Sequence, residues 1–189
     1  MTLAKKIAYI TPDEYLKSER GAEVRHEYVD GSIYSMAGES RRHNRIALKL
    51  AMLFENHLEA TDCETYFEGV NLQINARTYY YPDVLVTCET EKDDDKYIIR
   101  FPSLIVEVLS PSTASTDKRE KLLAYKTLDS VQEYAIVWQD EKRVELHRRQ
   151  DATNWLTFFF TQDNDEIEFD SIKFQTTVAK IYRGISFDQ

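Results

Sequence analysis

The chain has 189 residues, of which 42% are hydrophobic and 30% charged, so it can bury one full core and is too short for two complete domains. Its 5 Gly and 4 Pro against 12 Tyr and 9 Phe exclude a largely disordered chain. The formal net charge of −9 argues against a protein that binds a polyanion by bulk electrostatics. We therefore expect one domain over residues 1–189.

The first part of the chain predicts a helix, a hairpin and a second helix. Thr11 can cap a short helix ahead of Pro12 at the first helical position. The run RHEYVDGSIYSMAG alternates aromatic and β-branched residues around Asp30-Gly31, which predicts two strands joined by a tight turn. From residue 40 to about 60, apolar residues recur every three or four positions and indicate an amphipathic helix against a sheet.

The rest of the chain predicts a sheet with one crossover helix. CETYFEGVNLQI, TYYYPDVLVTC and SLIVEVLS each predict a strand, and the last two are apolar enough to be central strands. The helical segment STDKREKLLAYKTL and the strand QEYAIVWQ follow, which predicts a parallel pair of strands. RVELHRRQ and NWLTFFFTQ predict an antiparallel meander at the sheet edge, and TTVAKIYRGI predicts a closing helix.

The cysteines and the apolar runs bear on the compartment. Cys63 and Cys88 form no CxxC pair, so we expect reduced thiols rather than a disulfide or a zinc site. No stretch approaches the roughly 20 apolar residues of a membrane span, and the N-terminus lacks an apolar signal region. We expect a cytoplasmic protein with no membrane partner.

Two acids lie inside strands that are otherwise almost purely apolar, Asp83 in YYYPDVLVT and Glu107 in SLIVEVLS. Burying a carboxylate without a partner costs several kcal/mol, so such groups are usually paired with a cation, bound to a metal, or placed at a cleft. A structural ion pair is the simpler interpretation of either acid taken alone.

A lysine on the following helix favours a cleft. At 100° per residue, Lys121 falls in the middle of the arc that carries Leu122, Tyr125 and Leu128. A solvated pair of Asp117 with Lys121 would explain the spacing but not the inward direction of the lysine. We expect Lys121 to meet Asp83 and Glu107.

Two carboxylates with a neighbouring lysine suit phosphodiester hydrolysis. The carboxylates can share a hard divalent cation that lowers the pKa of a water molecule, and the lysine supplies positive charge to the phosphorane as it forms.

An extended pattern surrounds these residues. It comprises Pro82-Asp83, Glu107, Ser110-Pro111-Ser112, Asp117, Lys121, Tyr125 and Glu133-Tyr134, with Glu27, Asp30-Gly31 and His43 upstream. This pattern, which covers most of the chain, resembles the "putative restriction endonuclease" family of bacterial PD-(D/E)xK nucleases. One position departs from the superfamily motif, because Leu109 stands where the motif has lysine. The resemblance implies that Lys121 on the following helix takes that role.

The resemblance also implies a fold and a cofactor. The fold class is α/β (α+β), a restriction-endonuclease-like core with a central mixed sheet flanked by helices, an N-terminal hairpin and C-terminal antiparallel strands. The implied cofactor is Mg²⁺, with Mn²⁺ as a substitute. Asp83 and Glu107 would be metal ligands, Lys121 the catalytic lysine and Glu27 an accessory acid.

Three further residues are candidates for substrate binding. His43 lies beside Arg41, Arg42 and Arg45 at a helix start, where it either caps the helix or contacts phosphate. The Tyr125 ring packs in the core, and its hydroxyl can lie near Lys121. Asp117 lies on the same helical arc as Lys121, and it is the third candidate for substrate binding.

The leading hypothesis is an Mg²⁺-dependent DNA endonuclease that works as a homodimer. The acids outside the proposed cleft supply much of the net charge, so we expect DNA binding that is weak and metal-dependent. A homodimeric binding module that keeps the nuclease fold without activity is the main alternative. A glycosidase that uses Asp83 and Glu107 leaves Lys121 without a role.

Overall fold

The structure is a computed structural model that describes residues 9–36, 38–89, 95–109 and 117–187, apart from the side chains of 117–119. The helices are α1 (Pro12–Glu19), α2 (Arg41–Leu58), α3 (Asp117–Lys126) and α4 (Val178–Ile181). The strands are β1 (His26–Val29), β2 (Ser32–Ser35), β3 (Glu64–Phe67), β4 (Asn71–Asn75), β5 (Thr78–Tyr80), β6 (Val84–Thr87), β7 (Ile98–Ile99), β8 (Pro102–Leu109), β9 (Glu133–Trp138), β10 (Val144–Arg149), β11 (Trp155–Phe160), β12 (Glu166–Phe169) and β13 (Phe174–Thr177).

The largest sheet has six strands in the order β11-β10-β9-β8-β6-β3. β8 and β9 run parallel because α3 crosses between them, and the other neighbours are antiparallel. The second sheet has the order β2-β1-β5-β4-β7 and contains the N-terminal hairpin, while β12 and β13 form a separate pair. These sheets and helices confirm the predicted mixed fold class, including the meander of β10 and β11.

Apolar cores lie on both faces of the six-stranded sheet. Val84, Val106 and Val137 point to one face, where they pack with α2, α4 and the β12–β13 pair. Residues at alternate positions, such as Ile105 and Ile136, point to the other face, where they pack with α3 and the five-stranded sheet. Glu107 therefore lies on the α3 face between two buried apolar residues of its strand.

The local start signals agree with the structure. Thr11 caps α1 with its side chain, and Glu14 completes a capping box by accepting a hydrogen bond from the Thr11 backbone. Ser40 caps α2 in the same way by accepting from the His43 backbone N–H at 3.0 Å. The Asp30-Gly31 turn has positive φ at both residues, as a tight hairpin requires.

Two of the predicted strands are divided between the two sheets. The run CETYFEGVNLQI forms β3 and β4, because Glu68 and Gly69 adopt the left-handed conformation between them. The run TYYYPDVLVTC forms β5 and β6, and Pro82 lies in the break, where it ends the first strand. The prediction of one strand per run is wrong in both places. The second break places Asp83 immediately before β6.

The C-terminal prediction is also partly wrong. The segment TTVAKIYRGI begins as β13, whose β-branched threonines pair with β12, and only its middle part forms α4, which has 4 residues. Gly184 follows with φ of 77° and ends the helical conformation. The acidic run ETEKDDDK between the strand segments TYYYPDVLVTC and SLIVEVLS predicts a solvated loop, and residues 90–94 of it lie outside the described residues.

The cysteines are bonded to each other, which corrects the expectation of reduced thiols. Glu64 pairs with Thr87 at the ends of β3 and β6, so Cys63 and Cys88 are opposite each other with 4.0 Å between their Cα atoms. The spacing of 25 residues gave no sign of this pairing, because it depends on strand register. In the described part of the chain, no helix is long and apolar enough to cross a membrane.

Candidate active site

Asp83 and Glu107 lie opposite each other on adjacent strands. Val84 pairs with Val106 in antiparallel register. Asp83, which comes just before β6, therefore lies opposite Glu107 of β8. Both carboxylates are buried, with 5% and 3% of each residue exposed. Asp83 Oδ2 accepts a hydrogen bond from the backbone N–H of Val108 at 2.6 Å, which fixes this carboxylate against β8.

Lys121 and Tyr125 lie one turn apart on α3 and both reach Glu107. Lys121 Nζ lies 3.2 Å from Glu107 Oε1, and the Tyr125 hydroxyl donates to the same oxygen at 2.6 Å. Neither contact involves the second oxygen of Glu107. The spacing of four residues places both side chains on the face of α3 that packs on the sheet.

Glu27 on β1 holds Lys121 from the other side. Its Oε1 lies 2.7 Å from Lys121 Nζ, so the ammonium group lies between two carboxylates. The backbone N–H of Tyr81 also points to Glu27 Oε1, at 3.5 Å. The Lys121 ammonium group lies 5.5 Å from the centroid of the Tyr80 ring. These contacts fix the lysine in a low-dielectric setting.

The pKa values follow from this packing. Burial raises the pKa of Glu107 to about 7, although the Lys121 charge and the Tyr125 hydroxyl oppose the increase. Burial alone would lower the pKa of Lys121, but the charges of Glu107 and Glu27 reverse this and raise it. Lys121 therefore stays protonated at neutral pH. Burial also raises the pKa of Tyr125, so its hydroxyl remains a hydrogen-bond donor.

His43 at the start of α2 forms the next part of the site. Its Nε2 lies 2.6 Å from Glu39 Oε2 and 3.1 Å from Asp83 Oδ1. Burial would lower the pKa of this imidazole, but Asp83 and Glu39 outweigh burial and raise it to about 10. Sequence reasoning did not identify Glu39. Its position one helical turn before His43 is the signal that could have found it.

One cleft of about 700 Å³ connects these side chains. Its lining includes Glu27, Glu39, His43, Asp83, Glu107 and Lys121. The carboxylate oxygens suit a hard divalent cation: Asp83 Oδ1 contacts only the His43 imidazole in the pairs given above, and the contacts of Lys121 and Tyr125 with Glu107 are both to Oε1. Among the described residues, Glu39, His43 and Asp83 each offer a metal-ligand atom, and these atoms lie within 4.8 Å of one another.

Other predicted positions lie at the margin of the site or away from it. The structure describes the backbone of Asp117 at the start of α3, but its side chain lies outside the described part. Arg42 pairs with Asp140 at 2.9 Å, whereas Arg41 and Arg45 are exposed. Leu109 is buried in the core on the α3 face. The position that carries lysine in the superfamily motif thus contributes to packing here.

The family and its relatives agree with this fold. Residues 12–179 match the family model Uma2, described as "Putative restriction endonuclease". Protein slr1290 of Synechocystis sp. is 38% identical over 179 residues, which are 94% of each chain. Protein sll1609 of the same organism is 35% identical over 167 residues, covering 87% of this chain and 94% of the relative.

A solved structure shares the architecture. A crystal structure from Anabaena variabilis, described as "a putative nuclease belonging to DUF820", superimposes with a TM-score of 0.75. It is 18% identical and covers 92% of this chain and 97% of its own length, so it supports the fold alone. The mixed sheet and the acidic cleft define a restriction-endonuclease-like protein. On the match over residues 12–179, the chain belongs to the Uma2 "Putative restriction endonuclease" family.

Proposed function

We propose that the chain is a metal-dependent endonuclease that hydrolyses phosphodiester bonds in DNA. The observation that carries the proposal is the Lys121 ammonium group, which lies 3.2 Å from Glu107 and 2.7 Å from Glu27 in the cleft that also contains Asp83. This combination of buried carboxylates and a fixed cation suits a reaction in which negative charge builds up on a phosphate.

Asp83 and Glu107 would hold Mg²⁺, for which Mn²⁺ would substitute. When bound, the cation would neutralise phosphate charge and make a water molecule more acidic. Asp83 is suited to this role because the Val108 N–H fixes one of its oxygens and leaves the other facing the cleft. Tyr125 positions Glu107 by donating to Oε1, so the second oxygen is the one available to a ligand.

Lys121 would stabilise charge rather than move a proton. Because Glu107 and Glu27 raise its pKa, the amine is not a general base at neutral pH. It would orient the attacking water or neutralise the developing phosphorane as a compact point charge. Glu27 is a positioning residue in this scheme, since it holds the ammonium group from the side opposite Glu107.

DNA is the proposed substrate because the matching family is described as "Putative restriction endonuclease". Arg41 and Arg45 are exposed on the first turns of α2, where they could contact flanking phosphates. Because the net charge is −9 and side chains alone can neutralise few phosphates, we expect DNA binding that is weak and metal-dependent. A homodimer in the cytoplasm remains a prediction from the sequence.

The proposal is tested by cleavage of supercoiled plasmid DNA with Mg²⁺ or Mn²⁺ and with a chelator as blank. Asp83→Asn should lower the cleavage rate by at least about 100-fold, since a neutral amide cannot replace a charged metal ligand. Asp163→Asn is the matched control, because Asp163 is an exposed residue paired with Lys142 outside the cleft. It should cleave like the parent chain.

A second pair of variants tests the lysine. Lys121→Met should reduce cleavage by about 100-fold or more, while Lys126→Met on the same helix should have little effect. If the parent chain cleaves no DNA with either metal, or if Asp83→Asn cleaves equally well, the proposal is wrong. The inactive binding module then becomes the better account.

A further inference from the structure

The two walls of the cleft differ in chemistry. The wall at the start of α2 carries Glu39 and His43, whereas the wall formed by the β1–β2 hairpin carries Tyr34. Tyr34 is 55% exposed, although Tyr28 and Tyr79 of the same sheet are buried. The hairpin therefore contributes an uncovered aromatic ring to the lining of the cleft.

The register of the hairpin places this ring next to the lysine of the site. Tyr34 of β2 pairs with Glu27 of β1. Directly paired residues of antiparallel strands point to the same face of the sheet, with their Cβ atoms about 5 Å apart. Glu27 in turn holds the Lys121 ammonium group at 2.7 Å. The exposed ring thus lies beside the cation that the proposed function assigns to a phosphate.

A second aromatic ring lies on the other side of Glu27. The register of β1 with β5 places Tyr80 opposite Glu27, on the strand that flanks β1 away from β2. The Tyr80 ring also lines the cleft, with its centroid 5.5 Å from the Lys121 ammonium group, but it is buried. A single exposed tyrosine is common on protein surfaces. Tyr34 differs because it is the solvent-facing part of aromatic surface on both sides of the Glu27–Lys121 pair.

The charge of the protein favours a contact of this kind. With a formal net charge of −9, the chain gains little from bulk attraction to phosphates. Stacking of a nucleobase on an aromatic ring needs no positive charge and tolerates any base sequence. A base inside a duplex has both faces covered by its neighbours, so it must be unpaired and unstacked before it can lie on a protein ring.

We propose that Tyr34 stacks on an unpaired base next to the scissile phosphate, which makes single-stranded DNA the preferred substrate over intact duplex. This inference rests on the proposed function, because it names the kind of DNA that the nuclease would cut. The phosphate would lie at Lys121 and the base against the Tyr34 ring. Tyr34 takes no part in bond making or breaking, so its contribution is to substrate binding.

Photochemical cross-linking tests the contact without requiring cleavage. A single-stranded oligonucleotide with 5-iodouracil in place of thymine is irradiated in the presence of the parent chain and Mg²⁺. The iodinated base cross-links to aromatic side chains that stack on it, and mass spectrometry of the digested adduct identifies the residue. We expect Tyr34 as the main site. Annealing the complementary strand should lower the yield of this adduct by at least about 10-fold, because paired bases are not free to stack on the ring.

Cleavage assays test the consequence for substrate choice. The parent chain should cleave a single-stranded oligonucleotide at least about 10-fold faster than the duplex of the same sequence. Tyr34→Ala should lower kcat/KM for the single strand by about 10-fold, chiefly through KM, because stacking contributes to binding. Tyr34→Phe should retain the parent value, since the ring and not the hydroxyl makes the contact. The ratio of the parent to Tyr34→Ala should stay the same at higher salt, because stacking is not an ionic contact.

Tyr97 supplies the matched control. It is 60% exposed and lines a separate cavity of about 400 Å³. Tyr97→Ala should leave both the cross-link at Tyr34 and the cleavage of single-stranded DNA unchanged. Circular dichroism checks that the two alanine variants are folded, as we expect for substitutions at exposed positions.

The outcomes distinguish this inference from the proposed nuclease function. Adducts that map to other residues and not to Tyr34, or a folded Tyr34→Ala that cleaves the single strand as fast as the parent chain, would overturn the stacking contact. Equal cleavage of single strand and duplex by the parent chain would also overturn it, and the nuclease function would stand. Conversely, a chain that cross-links through Tyr34 but cleaves no DNA retains the contact and loses the nuclease assignment.

Discussion

Glu107 and Glu133 are both buried carboxylates on neighbouring parallel strands, but they lie on opposite faces of the six-stranded sheet. Glu133 is saturated with donors. Arg148 Nε donates to one oxygen at 2.8 Å, and Ser171 donates to the other through its backbone N–H at 2.9 Å and its hydroxyl at 2.6 Å. Glu107 is contacted by Lys121 and Tyr125 on one oxygen, and it lines a cleft of about 700 Å³.

This difference separates a structural carboxylate from a candidate functional one. Fixed donors on both oxygens of Glu133 replace the water lost on burial, so the group needs nothing further. Among the described residues, hydrogen-bond donors reach only Oε1 of Glu107, and burial raises the pKa of this carboxyl to about 7. The cation beside it also differs, since Lys121 supplies a point charge at the cleft whereas Arg148 binds as a planar donor within the packing.

The largest expected contrast is in cleavage rate. Glu107→Gln should reduce DNA cleavage by about 100- to 1,000-fold, because it removes a charged metal ligand from the cleft. Glu133→Gln should keep cleavage within about 3-fold of the parent rate per folded molecule, because distant structural substitutions act through stability. Single-turnover assays on plasmid DNA measure both. Equal losses would remove the distinction between the two carboxylates.

For stability we expect the opposite order, with a larger effect at Glu133 than at Glu107. Glu133→Gln should lower the free energy of unfolding by about 2–3 kcal/mol, since an amide NH₂ would face the Ser171 donors and Arg148 would keep only Asp170 of its two carboxylate partners. Glu107→Gln should change it by less than about 1 kcal/mol, because the burial cost of the charge disappears and Tyr125 still has an acceptor. Urea denaturation followed by circular dichroism gives both values.

Two neighbouring tyrosines test the role of Glu107 through smaller expected effects. Tyr125 and Tyr134 pack with ring centroids 5.2 Å apart, but only Tyr125 donates to Glu107. Tyr125→Phe should reduce cleavage by about 10-fold and stability by about 1 kcal/mol, which is the contribution of one hydrogen bond.

The matched variant is Tyr134→Phe. The Tyr134 hydroxyl is buried without a hydrogen bond in the described part of the chain, so its removal should leave stability unchanged or raise it by about 1 kcal/mol. A loss of stability in Tyr134→Phe as large as that in Tyr125→Phe would show that ring packing, and not the bond to Glu107, sets the effect.

Local rules account for most of the elements and for the placement of Lys121. The apolar strand β8, the helix α3 and the strand β9 follow from periodicity, and the helical wheel indicated that Lys121 faces the sheet. The same rules do not separate Glu107 from Glu133, because each is an acid in an apolar strand. The difference comes from the side chains that contact each carboxylate in the fold, and these residues are distant from it in sequence.

The missed features have the same cause. Glu39 lies in a polar segment, and its role depends on Asp83, which lies on a strand that packs against the start of α2 only in the fold. The Cys63–Cys88 bond depends on the register of β3 with β6. Two apolar runs are divided between the two sheets because the chain breaks near Gly69 and Pro82. Hydrophobic periodicity alone does not predict these breaks.

Calorimetric titration of Mg²⁺ into the chain tests the central claim most directly. The account predicts that the parent chain and Glu133→Gln bind Mg²⁺ with the same affinity, and that Glu107→Gln binds at least about 10-fold more weakly. Equal Mg²⁺ affinity in Glu107→Gln and the parent chain, or no Mg²⁺ binding by the parent chain, would contradict it.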